Sequence, residues 1–137
     1  MEAQRKTTKI IDYVKGDYKD YHLIEGTPSP DMIATIGTRY LADTLKMTKV
    51  AHIESPSIIP VVRITKGVAE HPIRIYASHE HKLLVLVADQ VIDSGQVYDF
   101  SKEVLEWAKA KKLKGVISLV GVMPNNSPAN IFGATNT

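Results

Sequence analysis

Apolar residues along the chain fall into short runs, and their period alternates between two and three-to-four. Thr7 to Val14 is rich in β-branched residues and is followed by Lys15-Gly16-Asp17, which predicts a strand and a turn. A second short strand spans Tyr21 to Glu25 and ends at Gly26. In Thr27-Pro28-Ser29-Pro30-Asp31, Ser29 suits an N-cap, Pro30 the first helical position and Asp31 the first turn. The helix so started runs to about Lys46, with Ile33, Ile36, Gly37, Tyr40 and Leu41 as its buried stripe.

Lys49 to Glu54 reads as a strand, and Ser55-Pro56-Ser57-Ile58-Ile59-Pro60 as a proline-stiffened loop. Val61 to Thr65 and Ile73 to Ala77 read as strands joined across Lys66-Gly67, the second alternating like a strand with one buried face. The unbroken apolar run from Leu83 to Ala88, within Lys82 to Asp89, predicts a central strand covered on both faces. Asp93-Ser94-Gly95 opens a helix to about Lys112, with Val97, Phe100, Val104 and Ala108 inward, Leu105 at the edge and Trp107 off the stripe. Val116 to Val122 reads as another buried strand, and Ile131 to Ala134 as a last short one. Apolar strands with helices between them call for a layered α/β fold with a mixed, largely parallel central sheet.

The 137 residues fit one domain, and that length buries enough surface to need no disulfide or metal staple. The absence of cysteine excludes a disulfide framework and a thiolate nucleophile, and fits a reducing compartment. With 17 basic against 15 acidic residues the chain lacks the basic excess of a nucleic-acid binder. The densest basic run, Lys109, Lys111, Lys112 and Lys114, suits a helix C-terminus. No run approaches the ~20 apolar residues of a membrane span. The polar start Met1-Glu2-Ala3-Gln4-Arg5-Lys6 is unlike a signal peptide, so the expected location is the cytoplasm.

Candidate chemistry is sparse. Thr27 and Ser29 beside a helix start can cradle an anion, and Glu25, Glu54 and Asp89 each end an apolar run, where α/β enzymes place acids and bases. Thr27, Ser29, Glu54 and Asp89 therefore define a possible ligand cleft, set against the simpler reading of a helix cap and ordinary strand ends. His79-Glu80-His81 would put two imidazoles on one side if extended, but a polar hairpin turn explains it better. No nucleotide fingerprint or nucleophile elbow appears, Ser118 reads as a small residue in a buried strand, and no cofactor or metal is expected. For partner binding the candidates are Ile58 and Ile59 in the proline loop, and Trp107.

The ordered set of Val50–Glu54 into Ser55-Pro56, Pro60-Val61-Val62, Pro72-Ile73-Arg74-Ile75-Tyr76, Leu83–Asp89, Leu105-Glu106-Trp107-Ala108, Ile117–Gly121 and Gly133-Ala134-Thr135-Asn136 resembles the archaeal and bacterial branch of the proteasome assembly chaperone family, from about residue 21 to 137. The resemblance implies a three-layer α/β/α sandwich, phosphorylase-like in fold. It also implies a non-enzymatic, self-associating protein, a homo-oligomer, whose partners are proteasome subunits. A small-molecule-binding protein or enzyme with that fold is the alternative. Members often carry a glycine-proline-glycine turn where this chain has Gly26-Thr27-Pro28-Ser29-Pro30. They are also usually longer, and some dock through a hydrophobic–tyrosine tail that Thr135-Asn136-Thr137 does not match, so the single domain of residues 1–137 is expected to be either a core fragment or one that docks differently.

Overall fold

The computed structural model describes residues 7–29, 31–56, 58–59, 61–122 and 131–136. Strands β1 (Lys9–Asp12) and β2 (His22–Gly26) precede helix α1 (Ile33–Thr44) and strand β3 (Thr48–Glu54). The short β4 (Arg63–Thr65) and β5 (Val68–Glu70) follow, then β6 (Ile73–Ser78), β7 (Leu83–Ala88), α2 (Val97–Ala110) and β8 (Gly115–Ser118). Six strands form one sheet in the order β1-β3-β6-β7-β2-β8, and β4 and β5 form a separate hairpin.

The sheet is mixed, as expected, although only β2–β7 and β2–β8 pair in parallel. β1 and β6 run against the others, so the pairs β1–β3, β3–β6 and β6–β7 are antiparallel. Short turns cause this: β6 reaches β7 through four residues, which permits only an antiparallel neighbour. The helices serve the two long crossovers. α1 carries the chain from β2 past β7 and β6 to β3, and α2 carries it from β7 past β2 to β8, in the opposite direction. Right-handed crossovers in opposite directions put their helices on opposite faces. β7 records the outcome: Leu84, Leu86 and Ala88 pack with Phe100, Val104 and Trp107 of α2, while Val85 and Val87 pack with Ala42 of α1. The domain is thus a three-layer α/β/α sandwich with β7 buried on both faces.

Several sequence expectations need correction. Ser29 does not cap α1; its hydroxyl donates to the Asp31 carboxylate, which in turn accepts the Ile33 N–H at 3.1 Å. The helix begins at Ile33 after Met32 in a left-handed conformation (φ 59°), and Pro30 lies outside the described residues. The predicted inward stripe is also wrong. Ala34, Thr35, Thr38 and Ala42 face the sheet, whereas Ile33, Ile36 and Tyr40 face outward and Leu41 is half-buried. Close approach explains it. A side chain at Gly26 would come within 2.7 Å of the Ala34 carbonyl oxygen, so only small residues fit between helix and strand.

The Lys66-Gly67 turn joins β4 to β5, not to β6. Both residues have positive φ (51° and 79°), the requirement of a two-residue turn whose twist suits a hairpin. On α2, Phe100, Val104, Trp107 and Ala108 form the buried stripe; Val97 is exposed and Trp107 is core. β8 is shorter than expected and lies at the sheet edge, with Ile117, Val120 and Val122 exposed. Ser118 is likewise exposed. Residues 131–134 form no strand, and Ile131 and Phe132 are exposed. Among the described residues no helix is long and apolar enough to cross a membrane.

Candidate functional site

The carboxyl ends of β2, β3, β7 and β8 lie along one rim of the sheet, where open α/β folds bind ligands. The four residues of the expected cleft sit on this rim but do not converge. Thr27, Asp89 and Glu54 belong to three separate arrangements, and Ser29, tied to Asp31, stands apart from all of them.

The first is a groove of about 310 Å³ between β2, β8 and α2, near the point where the two crossovers diverge. Val91, Phe100, Val104 and Val116 give it apolar walls, and Glu25 and Thr27 supply polar groups. The Glu25 carboxylate accepts the Thr27 N–H at 2.6 Å, so the turn after β2 holds it in place. Neither Glu54 nor Asp89 lines this groove.

The second is centred on Asp89, just beyond β7. One carboxylate oxygen accepts from Arg39 of α1 and, at 2.9 Å, from Arg63 of β4; the other accepts from Arg74 of β6 at 2.7 Å. Arg74 is 3% exposed and donates further to the His71 carbonyl at 2.6 Å and the Tyr76 hydroxyl at 3.0 Å. Burial alone would lower the Arg74 pKa; the bonds to Asp89 and the charge of Tyr76 outweigh it, and the guanidinium is held firmly protonated. This is a structural knot that ties α1, β4 and β6 to the end of β7.

The third arrangement was not visible as a site in the sequence. His52 and Glu54 alternate along β3, which points both to one side of the sheet. His71, between β5 and β6, lays its ring on His52, with centroids 3.6 Å apart and planes 8° from parallel. His52 Nε2 is 3.1 Å from a Glu54 carboxylate oxygen, and Nδ1 is 2.7 Å from the Tyr13 hydroxyl. The His52 bond, chiefly, holds the Glu54 carboxyl below the usual carboxylate range, and burial, with the neighbouring His52 charge, lowers His71. The spacing His52-x-Glu54 in a strand was the available signal; His71 needed the fold.

Two further histidines, His79 and His81, are engaged separately. His79 Nδ1 meets the Tyr21 hydroxyl at 2.7 Å while its ring stacks with Tyr18, and His81 Nδ1 lies 3.0 Å from the Ser78 hydroxyl. Of the partner-binding candidates, Ile59 is 66% exposed, Ile58 packs partly against the core, and Trp107 is 8% exposed with its indole N–H on Asp12 at 3.2 Å. Lys111 ties the end of α2 to β1 through Asp12 at 3.0 Å, so that part of the basic run is structural. Large apolar side chains are exposed on α2 (Tyr98, Leu105), on the hairpin (Ile64, Val68) and on α1, where Ile33, Ile36 (64%) and Tyr40 (68%) share the outer face. Leu119 extends this surface by lying against Gly37.

The fold and these sites define a small α/β sandwich with an outer helix that exposes large apolar side chains. The chain belongs to the PAC2 family, whose model matches residues 23–137. It is 23% identical over 128 residues to an uncharacterized protein of Methanocaldococcus jannaschii, covering 93% of this chain and 52% of that protein. Pyrococcus furiosus PbaA, described as an archaeal homolog of proteasome-assembly chaperone, superposes with a TM-score of 0.77 at 23% identity, over 90% of this chain and 50% of PbaA. P. furiosus PbaB, described as an archaeal proteasome activator, gives 0.67 at 24% identity, over 82% and 50%. A Thermoplasma acidophilum protein of unknown function gives 0.73 at 27% identity, over 82% and 46%. The chain spans about half the length of these relatives.

Proposed function

We propose that the chain is a non-enzymatic protein-binding domain that self-associates through the outer face of α1 and serves proteasome assembly in the cytoplasm. The observation that carries the reading is the inversion of α1. Its small residues face the sheet and its largest apolar residues, Ile33, Ile36 and Tyr40, face outward. A helix apolar on both sides is ordinarily covered on both sides. Covering each such side chain contributes roughly 1.5–3 kcal/mol, against which the entropy of association must be set. The names of PbaA and PbaB support the proteasome as the setting.

Light scattering after gel filtration of the full-length protein, alone and with proteasome α-subunits, tests this. The expected result is an oligomer that retains α-subunits, and an Ile36→Glu variant that runs as a monomer. A wild-type monomer with no α-subunit association at micromolar concentration removes the proposal.

A second reading, small-molecule binding, draws on the groove beside Glu25 and Thr27 at the diverging crossovers. A Ser101→Trp variant, at an exposed position on the groove wall, fills that groove. Unchanged association with α-subunits in this variant favours the protein-binding reading over a ligand-dependent one.

A further inference from the structure

We propose that His52, Glu54 and His71 form a binding site for a divalent transition-metal ion of the zinc class, with Tyr13 orienting His52. The donor atoms of the three side chains all lie within 4.8 Å of one another. In a tetrahedral site with bonds of about 2.1 Å, neighbouring donors stand roughly 3.4 Å apart. Closing the cluster therefore brings donors together by up to about 1.4 Å and turns the His71 ring out of its stack on His52, so that both lone pairs aim at one ion. His52 is buried and held by the strand, whereas Glu54 and His71 are exposed and are held by their contacts with His52.

The chemistry of the donors selects the metal. Two imidazoles and one carboxylate suit zinc, cobalt, nickel or copper, and poorly suit magnesium or calcium, which want six or more oxygens. The exposed side leaves a fourth position for water, as in open zinc sites. Two lysines border the cluster, Lys9 opposite Glu54 across β1–β3 and Lys49 on β3. Lys49 is neutralised by Glu70 at 3.0 Å, so it does not add an unpaired charge beside the ion.

A metal-bound histidine ordinarily gives its other ring N–H to a fixed acceptor, which sets its tautomer. Tyr13, 2.7 Å from Nδ1, is placed to be that acceptor. Tyr13 at Nδ1 (2.7 Å) and Glu54 at Nε2 (3.1 Å) fix the ring through both of its nitrogens. With metal, Nε2 takes the ion and the Nδ1 proton is donated to the Tyr13 oxygen. The His71 backbone is fixed as well, because its carbonyl accepts from Arg74 at 2.6 Å.

The test is calorimetric titration of the untagged full-length protein with zinc chloride, paired with cobalt(II) absorption and ring-nitrogen NMR of His52. One saturable equivalent is expected, with tetrahedral cobalt bands and an Nε2-metallated His52. Tyr13→Phe is expected to weaken binding about 10–100-fold, and His71→Ala at least as much. His81→Ala, far from the cluster, leaves the affinity unchanged. Because His71 and Glu54 are exposed, Glu54→Gln serves as a second folded variant should His71→Ala lose its circular-dichroism signature. Absence of a saturable equivalent in the wild type overturns the proposal. So does equal affinity in both ligand variants, or zinc lost equally in His81→Ala.

Discussion

On the α2 side of the sheet, Leu84, Leu86, Ile73 and Ile75 meet Phe100, Val104 and Trp107 in one continuous apolar layer. On the α1 side, apolar packing is confined to β7 and the neighbouring Ile24, Leu41 and Tyr76, and toward β3 and β6 the same face carries His52 and Arg74. The α2 layer is stabilised by area removed from water, the α1 layer by the mutual satisfaction of buried polar groups. The two respond to damage differently. An apolar layer loses energy in proportion to the atoms removed, whereas a polar one fails when a single partner is withdrawn.

The largest effect is expected on the apolar side. Leu86→Ala should cost about 4 kcal/mol in urea unfolding, because the strand is covered on both faces and cannot collapse around the void. A loss below ~1 kcal/mol would mean that the α2 layer is loosely packed. On the polar side, Asp89→Ala should cost about 3 kcal/mol by leaving the buried Arg74 uncompensated. The double change Asp89→Leu with Arg74→Met should recover most of that, whereas Arg63→Ala, at a partly exposed pair, should cost about 1 kcal/mol or less. If the double variant is no better than the single, the knot is not primarily electrostatic.

Two smaller effects sharpen the contrast. Ile36→Glu should change the unfolding free energy of the isolated domain by about 0.5 kcal/mol or less, while removing self-association. Loss of folding instead would place Ile36 in an intramolecular contact. Tyr18 sits in the apolar layer with its hydroxyl buried and no hydrogen-bond partner among the described residues. Burial raises its pKa, and Tyr18→Phe should be neutral or slightly stabilising, within about 0.5 kcal/mol in thermal unfolding. A clear loss would reveal a partner for that hydroxyl.

The apolar layer is the part that could be read directly from residue order. The run Leu83–Ala88 declared a strand covered on both faces, and Phe100, Val104 and Ala108 declared the inner side of α2. Trp107 lies seven residues after Phe100 and completes the same stripe, so it is core and not off the stripe as its position suggested. α1 defeated periodicity because its orientation is set by contact with Gly26, a tertiary constraint that favours small residues regardless of hydrophobicity. β8 looked central because of its apolar residues, yet it lies at the edge, and residue type alone does not encode position in a sheet. The cluster of His52, Glu54 and His71 was half legible, through the alternation on β3. Its third member arrives by way of the β4–β5 hairpin, whose second strand had gone unrecognised.

Asp89 joins groups from α1, β4 and β6 immediately beyond the end of β7. Because Arg74 also grips the backbone of His71, loosening this carboxylate would release the hairpin and the imidazole stacked on His52 together. The amides of the hairpin and of residues near His71 should then exchange with deuterium at a common rate, opening as one cooperative unit. One oxygen pair would in that way synchronise the outer helix with a region more than thirty residues further along the chain.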